Sequence, residues 1–364
     1  MRLLFYTLFF VFINTGTFAQ GHFTISGTVT DDKGAHLKSA TVFINGSQKS
    51  TITNDEGQFS FANLEPGSFQ VSAQMLGYFY NSQDVVIQSK SVTINISLNT
   101  KSTVLNEVVI KKRIYSDEYY KIFKSQFLGS TTNGRNCTLE NPKAVSFTTD
   151  SGNLVASSDE LLVVINKRLG YKIHYLLKVF KYFKDLTMSY DGDASFEELE
   201  GTEKMKKEWA KNRLETYNQS FMHFLRSLYT NTVLKEGFLC YQMYPGLPKM
   251  FTYRSVYLDL RPIKFDSLIT VADSGFVSFK FHRFYAVYDP KKAAKIKDQN
   301  ISSEIKNVSA PDHGTIIVPW KTDAIIDRKG SLTNYLALKR WGEWGGQRIG
   351  DQLPFEYQPP PASN

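Results

Sequence analysis

Between His22 and Leu98 the sequence alternates apolar and polar residues with a period of two. The segments FTISGTV, SFQVSAQM and SVTINISL each place apolar side chains at every second position. Because successive side chains of a β-strand point to opposite faces, this alternation predicts strands with one buried face. Each large apolar side chain contributes about 1.5–3 kcal/mol when it is fully buried. Two sheets that join their apolar faces form a closed core, so the pattern predicts a β-sandwich.

Three short segments ending in glycine separate these strands: DDKG at 31–34, NDEG at 54–57 and LEPG at 64–67. Asn and Asp brace turns through side-chain hydrogen bonds, and glycine accepts a positive φ. A calcium loop is the alternative use of these acids, and it needs a bidentate Glu at its twelfth position. Counting from Asn54 does reach Glu65, but phenylalanines stand where other ligands belong. Turns are the favoured interpretation.

The segments ISGTVTDDKGAHLKSATVFING and STITNDEGQFSFANLEPGSFQVSAQMLGY carry a family resemblance over residues 22–100. They resemble the carboxypeptidase regulatory-like domain, a transthyretin-like Greek-key sandwich common in cell-envelope proteins of the Bacteroidota. The motifs are G-T-V with D-x-x-G, the A-x-V-x-I strand, T-x-x-x-G-x-F-x-F, the L-x-P-G turn and the closing G-Y. The resemblance implies a binding or assembly module, not a peptidase.

The sequence of the first 19 residues predicts a signal peptide. Arg2 precedes an apolar run from Leu3 to Ile13, and small and polar residues follow up to Ala19, as in a secretory leader. The apolar run is too short to span a bilayer, which needs about 20 residues. We therefore expect an exported protein without a transmembrane segment, in the periplasm, associated with the outer membrane, or secreted. The predicted sandwich domain then occupies residues 20–100.

Residues 101–115 form a predicted linker or docking strand. The segment STVLNEVVIKKR resembles the L-x-E-V-V-V stretch that follows the same domain in TonB-dependent outer-membrane receptors. Too few residues follow it for the plug and barrel of such a receptor. Two alternatives remain for Leu105 to Ile110: a last strand that docks onto the protein itself, which is favoured, or strand addition to a partner.

Residues 116–355 predict a mixed α/β (α+β) domain. A helix from Ser116 to Gly129, two strands joined near Gly170 and one long helix over 202–234 are expected. Further strands are predicted, followed by the segment RWGEWGGQRIGDQLPFEY at 340–357, and a disordered tail is predicted over 356–364, from the last two residues of that segment onward. The further strands lie at 238–243, 276–288 and 314–318. This block resembles the companion region of exported Bacteroidota proteins with the same sandwich, a resemblance that implies no activity.

Motifs for catalysis, metals and cofactors are not found. The six histidines are scattered, and no zinc-peptidase spacing, serine elbow or phosphate-binding glycine loop occurs. The segment DGDASFEELE at 191–200 is the best acidic cluster, but Phe196 occupies the tight-turn position of a calcium loop. Ser195 with Glu198 instead indicates a capping box at a helix start. We predict no catalytic, metal or cofactor site; a pair of carboxylates for glycosidic cleavage is the alternative use of this cluster.

A polar, uncharged stripe on the predicted long helix is the candidate ligand site. Amides, hydroxyls and an aromatic ring suit a neutral ligand such as a sugar. A polar seam packed against neighbouring strands is the favoured alternative. The stripe consists of Trp209, Asn212, Thr216, Gln219, Ser220 and His223.

Two further features bear on partners and stability. Cys137 and Cys240 are the two cysteines, and in an exported chain they form either a disulfide or two buried thiols. The net charge of +8 permits anionic partners, although its scattered distribution favours a role in solubility, and no nucleic acid partner is expected. Together the patterns predict a non-catalytic exported envelope protein that binds a glycan, lipid headgroup or protein partner. A hydrolase of envelope polymer, with its site in the C-terminal domain, is the alternative.

Overall fold

The structure is a computed structural model, and most of its regular structure is β-strand. The predicted signal peptide and the segment Leu105 to Ile110 lie outside the described residues. The described residues are 22–101, 116–244, 255–273, 275–296, 301–309, 313–320, 323–334 and 337–361.

Residues 23–98 form the predicted β-sandwich. Its two sheets have the strand orders β4-β1-β7 and β3-β2-β5-β6, with β1 and β7 parallel. Ile25, Val29, Val71 and Ile96 are among the alternating apolar residues that fill the core between the sheets. The strands are β1 (Phe23–Asp31), β2 (Thr41–Ile44), β3 (Ser50–Ile52), β4 (Gln58–Leu64), β5 (Gly67–Gln74), β6 (Asn81–Ile87) and β7 (Val92–Leu98).

The acidic residues of the sandwich loops are used in turns and surface ion pairs. Asp31 Oδ1 accepts hydrogen bonds from the backbone N–H groups of Lys33 and Ala35 at 2.9 and 2.7 Å. Asn54 Oδ1 accepts one from the N–H of Gln58 at 2.7 Å. Such bonds brace the chain reversal, as Asx turns do. The prediction of turns is confirmed for both segments.

A second region, residues 117–198, packs helices against a six-stranded antiparallel sheet. The strand order is β8-β11-β12-β10-β9, and β13 pairs with the other edge of β12. The helix predicted from Ser116 to Gly129 is confirmed, with Phe123 and Phe127 buried against the sheet. The elements are α1 (Asp117–Leu128), α2 (Thr132–Arg135), β8 (Cys137–Leu139), β9 (Val145–Asp150), β10 (Asn153–Ser158), β11 (Leu162–Asn166), β12 (Tyr171–Tyr182) and β13 (Met188–Glu198).

Two predictions for this region are wrong in detail. The period-two spacing of Tyr171, Ile173, Tyr175, Leu177 and Val179 predicts that these five side chains share one face of the second strand near Gly170. A β-bulge after Leu177 breaks this pattern, so Val179 is 41% exposed and Phe180 is buried instead. The acidic segment predicted to start a helix lies in β13, where Ser195 pairs with His174 of β12. Pairing with the long strand β12 outweighs the local capping preference of Ser195 and Glu198. The spacing of residues within the segment does not show this pairing.

The long helix predicted over residues 202–234 is two helices, α3 (Glu203–Asn218) and α4 (Phe221–Tyr229). The chain leaves the helical path at Gln219, and the hydroxyl of Ser220 accepts a hydrogen bond from the N–H of His223 at 3.0 Å. Ser220 is therefore the N-cap of the second helix. The predicted stripe is divided between two helices.

The C-terminal region contains a six-stranded sheet and a three-stranded sheet. Their orders are β19-β15-β14-β18-β20-β22 and β16-β17-β21. The single strand predicted over 276–288 is two strands in different sheets, because the chain turns between Phe279 and Phe284. The elements are β14 (Phe238–Tyr244), β15 (Ser255–Pro262), β16 (Ile269–Asp273), β17 (Phe276–Phe279), β18 (Phe284–Tyr288), α5 (Pro290–Ile296), β19 (Ile305–Ser309), β20 (Gly314–Pro319), β21 (Ala324–Asp327), β22 (Leu338–Gly342) and α6 (Glu343–Gly346).

The chain stays packed beyond residue 355, later than predicted. The carboxylate of Glu356 accepts a hydrogen bond from the N–H of Gln48 at 3.0 Å. The backbone carbonyl of Tyr357 accepts one from Arg226 at 2.8 Å, and the Tyr357 ring packs against Tyr217. These contacts join the end of the chain to both the sandwich and the helices.

A buried carboxylate joins the sandwich to the second region. Asp193 of β13 is 1% exposed and pairs with Lys178 at 2.9 Å. Its other oxygen accepts hydrogen bonds from Ser72 at 2.6 Å and Ser82 at 2.8 Å, both on sandwich strands. Asn45 also donates to Asp193, at 3.2 Å. A charged acceptor with partners on both sides fixes the sandwich against β13.

A second buried carboxylate joins the sandwich to the C-terminal region. Asp327 is 0% exposed, accepts a hydrogen bond from the N–H of Ser68 at 3.0 Å, and pairs with Lys329. The Lys329 ammonium lies 4.5 Å from the ring centroid of Phe69, also on the sandwich. The four-stranded sandwich sheet therefore contacts both other regions, and the space enclosed between the three is fixed in shape.

Candidate functional site

A cleft of about 770 Å³ lies where the sandwich, strand β13 and the C-terminal region meet. Volumes of about 300–1,000 Å³ are typical of small-molecule sites. The cleft lies beside both buried carboxylate contacts, so residues far apart in sequence hold its walls. These walls come from residues 45–46 and 68–70 of the sandwich, 188–194 of β13, 220–222 at the start of α4, and 338–353.

Arg340 of β22 is the most distinctive charged group in the cleft. Its guanidinium carbon lies 4.1 Å from the ring centroid of Phe221, in a cation–π stack. No described residue accepts a hydrogen bond from this guanidinium or forms an ion pair with it. Its side chain remains exposed to the cleft, although the surrounding protein removes part of its hydration. Burial lowers the pKa of Arg340 to about 10; Tyr190 opposes this shift and the charge of Arg348 adds to it, and the group stays charged at neutral pH.

Arg348, a second arginine of the cleft, has a structural role. Its guanidinium donates to the backbone carbonyls of Gln126 at 3.1 Å and Gly345 at 2.7 Å. The neighbouring Asp351 accepts from Thr131 at 2.7 Å and from the backbone N–H of Arg348 at 3.2 Å. Both charged groups are therefore used to connect the C-terminal segment to α1 and α2.

Tyr190 contributes a neutral hydroxyl near the two arginines. Burial raises the pKa of Tyr190, and the charges of Arg348 and Arg340 only partly oppose that rise. The hydroxyl therefore keeps its proton at neutral pH and is able to donate or accept a hydrogen bond. Its ring is fixed edge-on to Phe127 at 5.7 Å between ring centroids.

Two acidic residues of the cleft, Asp191 and Asp84, lie apart from this group, whereas Asp351 lies beside Arg348. Asp191 follows Tyr190 on β13 and is on the opposite face, because successive strand residues alternate. This is the face on which Asp193 contacts the sandwich. Asp84, on sandwich strand β6, accepts a hydrogen bond from Gln70 at 3.2 Å. Asp84 and Asp191 thus lie on the sandwich side of the cleft, whereas Arg340, Arg348 and Asp351 lie on the opposite side.

Aromatic side chains form part of the wall near β22. Trp341 is 38% exposed and lines the cleft, so its ring is accessible. Trp344 is buried, and its indole N–H donates to the backbone carbonyl of Gln219 at 2.8 Å. Trp341 therefore offers a ring that a ligand can reach, whereas Trp344 has a structural role.

Five of the six residues of the predicted ligand stripe do not line this cleft; the sixth, Ser220, lies on its wall as the N-cap of α4. Trp209 donates to the carbonyl of Lys167 at 3.0 Å, and Asn212 donates to the carbonyl of Arg168 at 3.0 Å. The Thr216 hydroxyl donates to the Asn212 carbonyl at 2.8 Å and accepts from Asn133 at 3.0 Å. These three side chains are held by the turn after β11 and by α2, as the alternative of a packed polar seam predicts.

The end of the stripe is equally engaged. The Gln219 side chain is exposed, while its carbonyl accepts hydrogen bonds from Trp344 and Gln347. His223 is buried, stacks on Tyr217 and contacts Glu236 at 3.2 Å. No contact in the structure tests ligand binding by the stripe, which therefore stays a prediction.

Sequence reasoning did not single out Arg340 or Trp341. The signal was the segment RWGEWGGQR at 340–348, which places two arginines and two tryptophans among glycines. In such a segment the aromatic and cationic side chains lie next to glycines, which have no side chain. Its strand pairing with β20 and its position beside α4 were needed to identify the cleft.

Both cysteines are free thiols, the second of the two alternatives. Cys137 is buried in the core of the second region and Cys240 in that of the C-terminal region. Burial raises the pKa of both thiols, to about 12 for Cys137. The alternative of a disulfide is not realised, because the two side chains belong to separate cores.

No group of three or more His, Cys, Asp and Glu side chains within the described residues is arranged to hold a metal ion. No helix in the described part of the chain is long and apolar enough to cross a membrane.

Comparison with protein families confirms the resemblance over the sandwich. Residues 25–110 match the family described as CarboxypepD_reg-like domain. The match includes the sandwich and continues through the segment Leu105 to Ile110. No curated protein matches the chain.

Solved structures share short stretches of similar fold with this chain. A type II cohesin–X-dockerin complex from Acetivibrio cellulolyticus is 20% identical with a TM-score of 0.19, covering 21% of this chain and 56% of that one. A catechol 1,2-dioxygenase from Acinetobacter radioresistens is 11% identical with a TM-score of 0.21, covering 25% and 56%. A streptococcal ancillary pilin is 13% identical with a TM-score of 0.21, covering 23% and 34%. Likeness at this level carries no statement about function.

Proposed function

We propose that this protein, whose residues 25–110 match the CarboxypepD_reg-like domain, is a non-catalytic binding protein of the cell envelope. Its ligand is a glycan that lies in the cleft between the sandwich and the other two regions. The observation that carries the proposal is the cleft itself, in which an accessible tryptophan ring lies among polar side chains. Export, expected from the leader sequence, would bring the protein to envelope glycans.

The chemistry of the cleft suits a sugar. Sugars present hydroxyl groups that both donate and accept hydrogen bonds, and one flat face of C–H groups that packs on aromatic rings. Trp341 offers such a ring, and the amides of Asn45, Gln70, Gln347 and Gln352 line the same cleft. A cleft of about 770 Å³ matches a small oligosaccharide. A folded protein partner would instead need a surface of about 800 Å² on each side.

The sandwich acts as a wall of the site in this proposal. Its strands contribute Ser68 to Gln70 and the turn at 45–46 to the cleft. The buried contacts of Asp193 and Asp327 hold that wall in place. A preorganised wall reduces the entropy lost when a ligand binds. The domain therefore supports binding without being the whole site.

Titration of the mature protein with a panel of neutral and acidic oligosaccharides tests the proposal. Binding is measured by calorimetry and by tryptophan fluorescence. We expect Trp341→Ala to weaken binding about 3- to 10-fold, the loss of one aromatic contact of about 0.5–1.5 kcal/mol. Trp320→Ala is the matched control, because Trp320 is 58% exposed and does not line the cleft.

Two results would contradict the proposal. Equal effects of the two tryptophan variants would remove the cleft as the binding site. Release of new reducing ends from a bound oligosaccharide, abolished by Asp191→Asn, would replace binding with hydrolysis.

A further inference from the structure

We infer that Arg340 forms an anion subsite in the cleft, so that the glycan carries a carboxylate or phosphate group. This inference rests on the proposed glycan-binding function and adds the chemical class of the ligand. It depends on the geometry of the Arg340 side chain and on the charges around it.

The position of Arg340 leaves its donors available. A guanidinium that stacks on an aromatic ring uses its flat face, while its five N–H groups point outward in the plane of the group. The guanidinium carbon of Arg340 lies over the Phe221 ring at 4.1 Å from its centroid, and this contact restrains the group at the edge of the cleft. Two parallel N–H groups of a fixed guanidinium match the two oxygens of a carboxylate or phosphate.

Other arginines in the same part of the molecule use their donors within the protein. Arg226 donates to the carbonyls of Lys329, Phe355 and Tyr357. Arg213 stacks on an aromatic ring as Arg340 does, but it also pairs with Glu198 at 2.6 Å. Among the described residues, none supplies Arg340 with an acceptor of this kind.

The charges near Arg340 favour an anion from outside the protein. Two titratable groups act on its pKa, Tyr190, which keeps its proton at neutral pH, and the cation Arg348; no carboxylate contributes to the shift. Asp351 is already engaged by Thr131 and by the backbone of Arg348. Two neighbouring guanidinium groups repel each other, and an external anion would relieve that repulsion.

The ligand must extend over more than one sugar residue to use both groups. Arg340 and Trp341 are adjacent on β22, so their side chains point to opposite faces of this strand. Among the described strands β22 pairs with β20 alone, at the end of its sheet, and residues 338–341 of β22 line the cleft. An oligosaccharide that crosses this edge would place a ring on Trp341 and an acidic group at Arg340.

The test compares three ligands of equal length: a neutral hexose trisaccharide, a hexuronic acid trisaccharide and a trisaccharide with one phosphate monoester. Each is titrated into the full mature protein and into three variants, with circular dichroism as the check of folding. Arg340→Gln removes the charge, and Arg340→Lys keeps the charge without the paired donors. Lys280→Gln is the matched control, since it removes an exposed charge that does not line the cleft.

We expect at least one acidic trisaccharide to bind more tightly than the neutral one, and the better of the two identifies the acidic group. Arg340→Gln should weaken its binding about 10- to 100-fold and leave the neutral trisaccharide within about 2-fold. Arg340→Lys should be intermediate, and Lys280→Gln should match the wild type.

Equal affinity for all three ligands, unaltered by Arg340→Gln, would overturn the anion subsite while leaving the glycan cleft intact. No binding of any trisaccharide, or of the wider panel, would overturn both. A loss for the neutral and acidic ligands alike in a folded Arg340→Gln protein would show a structural role for Arg340 and would also overturn the subsite.

Discussion

Replacing the buried Asp193 by asparagine should loosen the sandwich from the rest of the protein. The carboxylate has four partners: Lys178 and Asn45 donate to Oδ1, and Ser72 and Ser82 donate to Oδ2. Asparagine has nearly the same shape but no charge and only one acceptor oxygen. The two serine hydroxyls are able to rotate and accept from the new amide, so the main loss is the charge opposite Lys178.

The size of the effect follows from burial. Removing one partner of a buried ion pair typically costs about 3–5 kcal/mol, because the other charge is left without compensation. Lys178 is 15% exposed, so its ammonium regains part of its hydration. We therefore expect Asp193→Asn to lower the free energy of unfolding by about 2–3 kcal/mol. Lys178→Met in the same protein should recover part of this loss, with a coupling energy of about 1–2 kcal/mol.

Urea unfolding of the full mature protein, followed by circular dichroism, measures these values. Asp191→Asn is the matched control, two residues earlier on the same face of β13 but exposed and without a hydrogen-bond partner in the described structure. It should change the free energy by less than about 0.5 kcal/mol. If Asp193→Asn is as mild as Asp191→Asn, the carboxylate does not hold the sandwich and the reasoning fails.

Three other predictions follow from local geometry. Gly170→Ala should cost about 2–4 kcal/mol in urea unfolding, since a Cβ there would meet the Trp209 ring at 2.2 Å; Gly77→Ala, with a positive φ but open space, should cost only about 1 kcal/mol. Ellman's reagent should find no reactive thiol in the native protein at pH 8 and two in the denatured, unreduced protein. Burial raises the pKa of the Cys137 thiol to about 12 in the folded state, so the free energy of unfolding should fall as the pH rises above about 9, where the unfolded thiol ionises. A fragment of residues 21–100 should fold alone and give a dispersed amide NMR spectrum, as the sandwich core is complete within it; collapsed amide dispersion would contradict this.

Local patterns in the sequence were enough for the sandwich and for several elements beyond it. Period-two alternation identified the strands, and turn chemistry at Asp31 and Asn54 identified their connections. Helix α1 was recognisable from its acidic first turn and its apolar spacing. Each of these patterns involves residues that lie close together in the sequence, so each element can be predicted without knowledge of the fold.

The cleft depends on contacts between residues far apart in sequence. Asp193 and Ser72 meet across 121 positions, and Arg340 lies over Phe221 from another part of the chain. No local pattern encodes such pairings. The polar stripe shows the same limit, because the composition of Trp209 and Asn212 suits either a sugar or the carbonyls of a turn, and only the fold supplies the turn.

Hydrogen exchange of the full mature protein, with and without the tightest-binding oligosaccharide of the panel, tests the glycan cleft most directly. The account predicts slower exchange of backbone amides at 188–192 in β13 and at 338–342 in β22. Helix α3, which carries Trp209, Asn212 and Thr216 of the predicted stripe, should exchange unchanged. Protection confined to α3 or to the exposed sandwich turn at 76–80, with the two cleft strands unaffected, would contradict it.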